Sequence, residues 1–345
     1  MRFLLDDEQR EFAHSLDAML TAADTVTATR AWGAGDHAPG RAVWARLADA
    51  GVFALPVPEE YEGVGPRPVA TAVAFVELGR HAVPGPAVET VAAAALLAHL
   101  ADEGEPEPAK RLLPFLASGA VSATLTLPDG GPHALDADAA DLILAVTDDA
   151  LRIAPGHARV RRSLDPARRL AAPLPGGELL ASGPALKTAA RHAARWAALA
   201  TAAQSLGVGL ALLDRTVAYV KQRTQFGAPI GSFQAVKHRL ADVLVGLEFA
   251  RPLLFGAATT MAPRDVAAAK VTTGEAAYAA ARAALQLHGA IGYTAEFDLS
   301  LWLTKARALR SAWGDPGVWR GRALAAYGQR SVFPEHEPSA AREVR

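Results

Sequence analysis

The stretch Arg223–Gln234, RTQFGAPIGSFQ, decides how the rest of the chain is read. An Ala-rich segment runs into it and an amphipathic segment runs out, with Gly227, Pro229 and Gly231 between them. Two helix-forming segments punctuated this way predict a helix, a tight reversal and a second helix. The reversal holds a cation, Arg223, two carboxamides, Gln225 and Gln234, and two aromatics, Phe226 and Phe233. A guanidinium presents a rigid fork of donors suited to phosphate, and carboxamides both donate and accept. Two readings stand at this point: a helix hairpin with a polar tip, or a clamp for a cofactor pyrophosphate.

Working outward, the helical pattern continues on both sides. Ala185–Gln222 precedes the reversal; Phe233–Ala258, Arg264–His288, Phe297–Ser311 and Val318–Tyr327 follow it. Long amphipathic helices with short loops indicate an antiparallel four-helix-type bundle over residues 184–333, with a polar tail over 334–345. Residues 119–183 have another texture, short β-prone runs broken by Asp, Gly and Pro, and read as a small β domain. Residues 1–118 read as an N-terminal helical domain: a helix after Asp6–Asp7, a loop over Thr29–Gly40, then helices over Arg41–Ala50, Val69–Leu78, Val88–Leu100 and Ala109–Leu116. The fold class expected is mainly α, with a small middle β domain.

Bulk properties exclude several classes. The chain has 345 residues and a net charge of −1, so no basic excess points to nucleic acid. It has no cysteine, which removes disulfides, thiolate metal sites and a Cys nucleophile. The N-terminus, MRFLLDDEQREF, lacks the apolar core of a signal peptide, and the apolar run Val91–Leu97 is too short to span a bilayer. The expectation is a soluble, cytoplasmic protein. Glu59, Glu60 and Glu62 sit in a loop and read as a solvated turn. His192, His238 and His288 lack metal-ligand spacing, and no metal site is expected.

Helical domain, small β domain and bundle, with RTQFGAPIGSFQ at a hairpin, resemble the acyl-CoA dehydrogenase family. PVPEEYEGVG from Pro56, FVELGRHAVPGP from Phe75 and QLHGAIGYTAEFDLSLWL from Gln286 are similar to three further signatures of that family. The resemblance implies FAD as cofactor, an acyl-CoA substrate and oxidation of its Cα–Cβ bond, with a carboxylate taking the α-proton. It implies self-association into a dimer or tetramer, with the hairpin of one subunit holding the adenine and pyrophosphate end of a neighbour's flavin. On that basis Arg223, Gln225, Phe226 and Gln234 serve FAD, with Gln286 and Gly289 lining the same strip.

Departures from the pattern are equally informative. Segments that hold the flavin ring in the family are missing between Gly119 and Ser182. Counting back from Arg320, the position of the family's usual base is Trp313, which has no proton-accepting group. Counting back from Arg223, the alternative base position is Ala197. Asp315, two residues from Trp313, is the remaining carboxylate candidate. These losses resemble the shorter subunits of actinobacterial heteromeric acyl-CoA dehydrogenases, which act on fatty or steroid side-chain thioesters. In those the larger homologous partner supplies the base and the flavin-ring pocket. The other readings are a self-sufficient dehydrogenase with a displaced base, and a non-redox scaffold of the same fold.

Overall fold

The computed structural model describes residues 5–128 and 130–328, so the tail expected over 334–345 lies outside the described residues. Helix α1 (Asp7–Thr21) opens on a capping box, with Asp6 accepting from the Gln9 amide and the Gln9 side chain accepting from the Asp6 amide. Helices α2 (Thr25–Ala34) and α3 (Ala38–Asp49) follow. They correct the loop expected over Thr29–Gly40. The glycines there serve close packing rather than turns. A Cβ on Gly33 would lie 3.2 Å from Pro166, and one on Gly40 would lie 2.3 Å from the Trp32 ring. Only Gly35, at φ 94°, closes a helix.

Helices α4 (Pro68–Arg80), α5 (Ala87–Asp102) and α6 (Glu107–Ala117) complete the N-terminal layer. The β segment forms two small sheets. Strands β1 (Ala123–Thr126), β3 (Leu142–Val146), β4 (Ala150–Ile153) and β7 (Glu178–Ser182) lie in that order, with β1 and β3 parallel. Strands β2 (Ala134–Leu135), β6 (Arg169–Ala171) and β5 (Arg161–Arg162) make the second sheet.

Helix α7 (Ala185–Gln222) is the axis of the molecule, with α4, α5, α8 (Gln234–Thr260), α9 (Pro263–His288) and α10 (Leu299–Ser311) packed around it. Its 38 residues extend about 57 Å at the usual rise. It is long and apolar enough to cross a membrane, yet its apolar window is wholly buried by other helices. Glycines let backbones touch along it. A Cβ on Gly207 would fall 1.9 Å from the Val76 carbonyl oxygen, and one on Gly79 2.1 Å from that of Gln204. The α4–α7 crossing therefore depends on both residues lacking a side chain. Helix α11 (Pro316–Gly328) closes the bundle against α9.

Candidate functional site

At one end of the bundle, α7 and α8 are joined by a small hairpin of strands β8 (Thr224–Gln225) and β9 (Ala228–Pro229). Its two-residue turn is Phe226–Gly227, at φ 54° and 76°, the left-handed pair that a type I′ turn requires. Glycine suits this geometry; phenylalanine does not. Phe226 nevertheless sits there with 93% of its surface exposed, edge-on to Phe233 with ring centroids 6.4 Å apart. Arg223, Gln225 and Gln234 are also exposed, and their side chains make no hydrogen bond or ion pair among the described residues. Helix α8 begins beside them without a side-chain cap, and the amides of Gln234 and Ala235 have no partner among the described residues.

The end of α9 meets the same end of α7. The Tyr219 ring stacks on His288 at 4.1 Å, and its hydroxyl donates to the His288 carbonyl at 3.4 Å. Gln286 and Gly289 flank that contact, both exposed. The Tyr219–His288 contact thus puts Gln286 and Gly289 at the same end of α7 as the hairpin that carries Arg223, Gln225, Phe226 and Gln234. Ala197 is elsewhere, fully buried in mid-α7, its carbonyl accepting from the Thr201 hydroxyl.

Trp313 and Asp315 lie at the other end of α10, which spans about 20 Å. They line a cavity of about 590 Å³ between the β segment and the end of α10. No residue of the hairpin or of the Gln286 strip lines it. Trp313 has φ 60°, strained for an aromatic residue, and its carbonyl accepts from the Trp319 indole at 2.9 Å. Asp315 caps α11: its Oδ1 accepts from the amides of Gly317 at 2.7 Å and Val318 at 3.1 Å.

Sequence reading missed the most unusual group in this cavity. Glu89, in the first turn of α5, lines it, is 3% exposed, and its Oε2 has no hydrogen-bond partner. Burial raises its pKa, opposed by the Arg168 charge, the Trp313 indole N–H and the Lys305 charge. The available signal was a lone carboxylate inside the apolar run that predicts α5.

Glu89 belongs to a set of buried charges. Lys305 is 3% exposed, pairs with Asp165 at 3.6 Å and donates to the Val83 carbonyl at 3.3 Å. Lys270 donates to the Leu309 carbonyl at 3.0 Å, and burial pushes its ammonium down to about 7. Burial likewise pushes the Asp136 carboxyl up to about 7, against the hydrogen bond it accepts from the Arg169 amide at 2.9 Å.

A separate knot joins Asp17, Glu77 and His81, whose ligand-type atoms lie within 4.8 Å of one another. Internal pairing accounts for it: His81 meets Asp17 at 2.8 Å, and Arg80 lies 3.6 Å from Glu77.

Comparison with known proteins agrees with this architecture. The acyl-CoA dehydrogenase N-terminal domain matches residues 6–120, and the C-terminal domain of the same family matches residues 188–326. Acyl-CoA dehydrogenase IpdE2 of Mycobacterium tuberculosis is 35% identical over 304 residues, covering 87% of this chain and 91% of its own length. Acyl-CoA dehydrogenase FadE34 of the same organism is 33% identical over 83% of this chain and 42% of its own. Among solved structures, the ChsE4–ChsE5 complex from M. tuberculosis superposes with a TM-score of 0.81 at 23% identity, over 96% of this chain and 100% of that chain. A glutaryl-coenzyme A dehydrogenase bound to glutaryl-CoA gives 0.82 at 22%, over 96% and 98% of the two chains. The fold, the two matching domains and the near full-length similarity to IpdE2 together make this chain a member of the acyl-CoA dehydrogenase family.

Proposed function

We propose that this chain is one subunit of an FAD-dependent acyl-CoA dehydrogenase, giving its hairpin to a flavin held mainly by a larger homologous partner. The partner supplies the base. The observation that carries this reading is the separation of the two ends. The base position holds a strained Trp313 beside a cavity that no hairpin residue reaches, while the hairpin faces solvent.

The exposed groups fit the diphosphate and adenosine end of FAD. Arg223 offers a guanidinium with no ion pair among the described residues, and the uncapped start of α8 offers amides and the positive end of the helix dipole. Gln225, Gln234 and Gln286 supply donors and acceptors, and Phe226 a face for stacking. When bound, the flavin supplies the hydride acceptor for α,β-dehydrogenation of an acyl-CoA thioester.

A partner is also supported by the outer face of α8. Val245, Phe249 and Leu253, spaced four apart, are exposed, Phe249 by 72%. An apolar stripe at helical spacing belongs against another helix. A protein of the same fold adds to this: ChsE4–ChsE5 is a complex of two different chains.

The test is purification alone and with a co-expressed full-length homologue, followed by flavin absorbance and acyl-CoA turnover. The expected outcome is flavin and activity only in the mixed complex. A lone chain that carries one FAD per subunit and turns over acyl-CoA refutes the proposal. A second reading, self-sufficient catalysis by Asp315, draws support from Asp315 lining the cavity. Turnover by the lone chain that Asp315→Ala abolishes would establish it; the capping bonds to α11 count against it.

A further inference from the structure

The strip that carries Gln286 and Gly289 has little of its own to hold it. Gly289 ends α9 at φ 62° and ψ −137°, a conformation open to glycine alone. The chain then passes through a short turn, Gly289–Tyr293, and an irregular stretch, 294–298, before α10 begins at Leu299. Every residue from Tyr293 to Glu296 is exposed. The bonds within this region are local. Thr294 donates its amide and its hydroxyl to the Ile291 carbonyl, at 3.2 and 2.9 Å, and the Ser300 hydroxyl donates to the Ala295 carbonyl at 3.2 Å. An exposed segment with so few bonds opens at small free-energy cost.

One side chain reaches it from far away in the sequence. Arg30, in the middle of α2, donates Nη1 to the Ala295 carbonyl at 2.9 Å. Its Nη2 donates to the Glu296 carbonyl at 2.9 Å and to Asp298 Oδ1 at 2.8 Å. Apart from Ser300, no other side chain from outside the stretch hydrogen-bonds to it among the described residues. Asp298 also faces the charge of Arg215 on α7, which lies over the Trp302 ring at 3.7 Å.

We propose that Arg30 is a positioning residue for the flavin: it clasps 295–298 to the N-terminal layer and thereby fixes the Gln286–Gly289 strip in place. The role rests on the proposed use of hairpin and strip for FAD. A guanidinium suits it, because one planar fork spans two successive carbonyls and a carboxylate, which a compact ammonium does not. The clasp reaches the strip through short links. Ala295 adjoins Thr294, and both Thr294 bonds run back to Ile291. Gly292 then lies close under His288, where a Cβ would fall 3.2 Å from the His288 Cβ. His288 is itself stacked on Tyr219 at 4.1 Å. The turn is therefore held at both ends, by Tyr219 on one side and Arg30 on the other. A ligand that meets a turn already fixed loses less free energy to ordering it.

Hydrogen exchange of the purified chain alone, read by mass spectrometry, measures the clasp without flavin. Arg30→Met is expected to speed exchange over 289–298 by about tenfold or more and to leave the buried middle of α7 unchanged. In the mixed complex, FAD loss during dialysis, read by absorbance, is expected to run about five- to twentyfold faster than in the parent. Asp298→Asn keeps an acceptor oxygen for the third bond and is expected to stay within about threefold of the parent in both measurements. Unchanged exchange over 289–298 in Arg30→Met overturns the proposal. So does exchange that rises equally in α4 and α7, which marks a general loss of stability. Asp298→Asn acting as strongly as Arg30→Met reduces the clasp to one ion pair and overturns it too. Arg223→Ala serves as the parallel arm. FAD loss that Arg223→Ala speeds and Arg30→Met does not overturns the role of Arg30 alone. If neither variant speeds it, the hairpin reading falls and this role with it.

Discussion

The two ends of the bundle treat polar groups in opposite ways. At the hairpin end, Arg223, Gln225 and Gln234 are exposed with no side-chain partner among the described residues, and an aromatic occupies a strained turn with its ring exposed. At the cavity end, Asp136, Asp165, Lys270 and Lys305 are buried and held by an ion pair or by backbone groups, while Glu89 is buried with its Oε2 unpartnered. Exposed, uncommitted donors cost the fold almost nothing and are available to another molecule. Buried charges are committed to the fold, because removing one partner leaves the other desolvated. The first end therefore leaves its polar groups open to another molecule, and the second holds α10 and the β segment together.

That contrast breaks most clearly at Lys305. Lys305→Ala leaves Asp165 buried without its ion pair and is expected to cost about 3–5 kcal/mol of stability, read by urea unfolding. A loss below about 1 kcal/mol places Lys305 among ordinary surface positions and ends the comparison. At the opposite end, Arg223→Ala is expected to leave unfolding within about 0.5 kcal/mol of the parent. FAD retention by the mixed complex, read as flavin absorbance during dialysis, is expected to fall by about ten- to a hundredfold. Unchanged FAD content dismisses the clamp.

Asp136 sharpens the buried end through pH. Its folded pKa, about 7, is raised above the ordinary aspartate value of 3.8. The folded state therefore binds more protons than the unfolded state between those values, and this carboxyl lowers stability as pH rises through that window. Asp136→Asn preserves an acceptor for the Arg169 amide, and asparagine tolerates the φ of 51° found there. The variant is expected to match the parent near pH 4 and to exceed it by about 4 kcal/mol at pH 8. Equal stability at both pH values shows that the carboxyl is solvated. The smallest effect is expected from Trp313→Glu. If the partner provides the base, turnover of the complex stays within about twofold, less than 0.5 kcal/mol. A large gain in turnover indicates that a thioester reacts in this cavity.

Much of the architecture was legible because it rests on local chemistry. Gly227, Pro229 and Gly231 stop two helices, and the hairpin forms there. The apolar periodicity after Pro184 marks α7 to α10. The loop expected over Thr29–Gly40 failed because a glycine chosen for contact cannot be distinguished, in one dimension, from a glycine chosen for a turn. Gly40 lies under Trp32, and Gly33 against Pro166, more than a hundred residues away in the chain. Glu89 failed for the related reason that periodicity reports a face, not depth. Nothing local tells a carboxylate in an apolar run whether its neighbours include Arg168 and Trp313.

By itself, then, the sequence determined the helical and β segments and the hairpin that joins α7 and α8, and it puts Trp313 and Ala197 at the positions where the family resemblance expects a base. These depend on residue type and on spacings of a few residues. Only the tertiary structure decided that the hairpin and the Trp313 cavity lie at opposite ends of α10, that Asp315 is spent as a helix cap, and that Glu89 faces a cavity without a partner. Burial and pairing are properties of packing among distant segments, and desolvation, which sets the behaviour of every charge at that end, exists only once those segments have met.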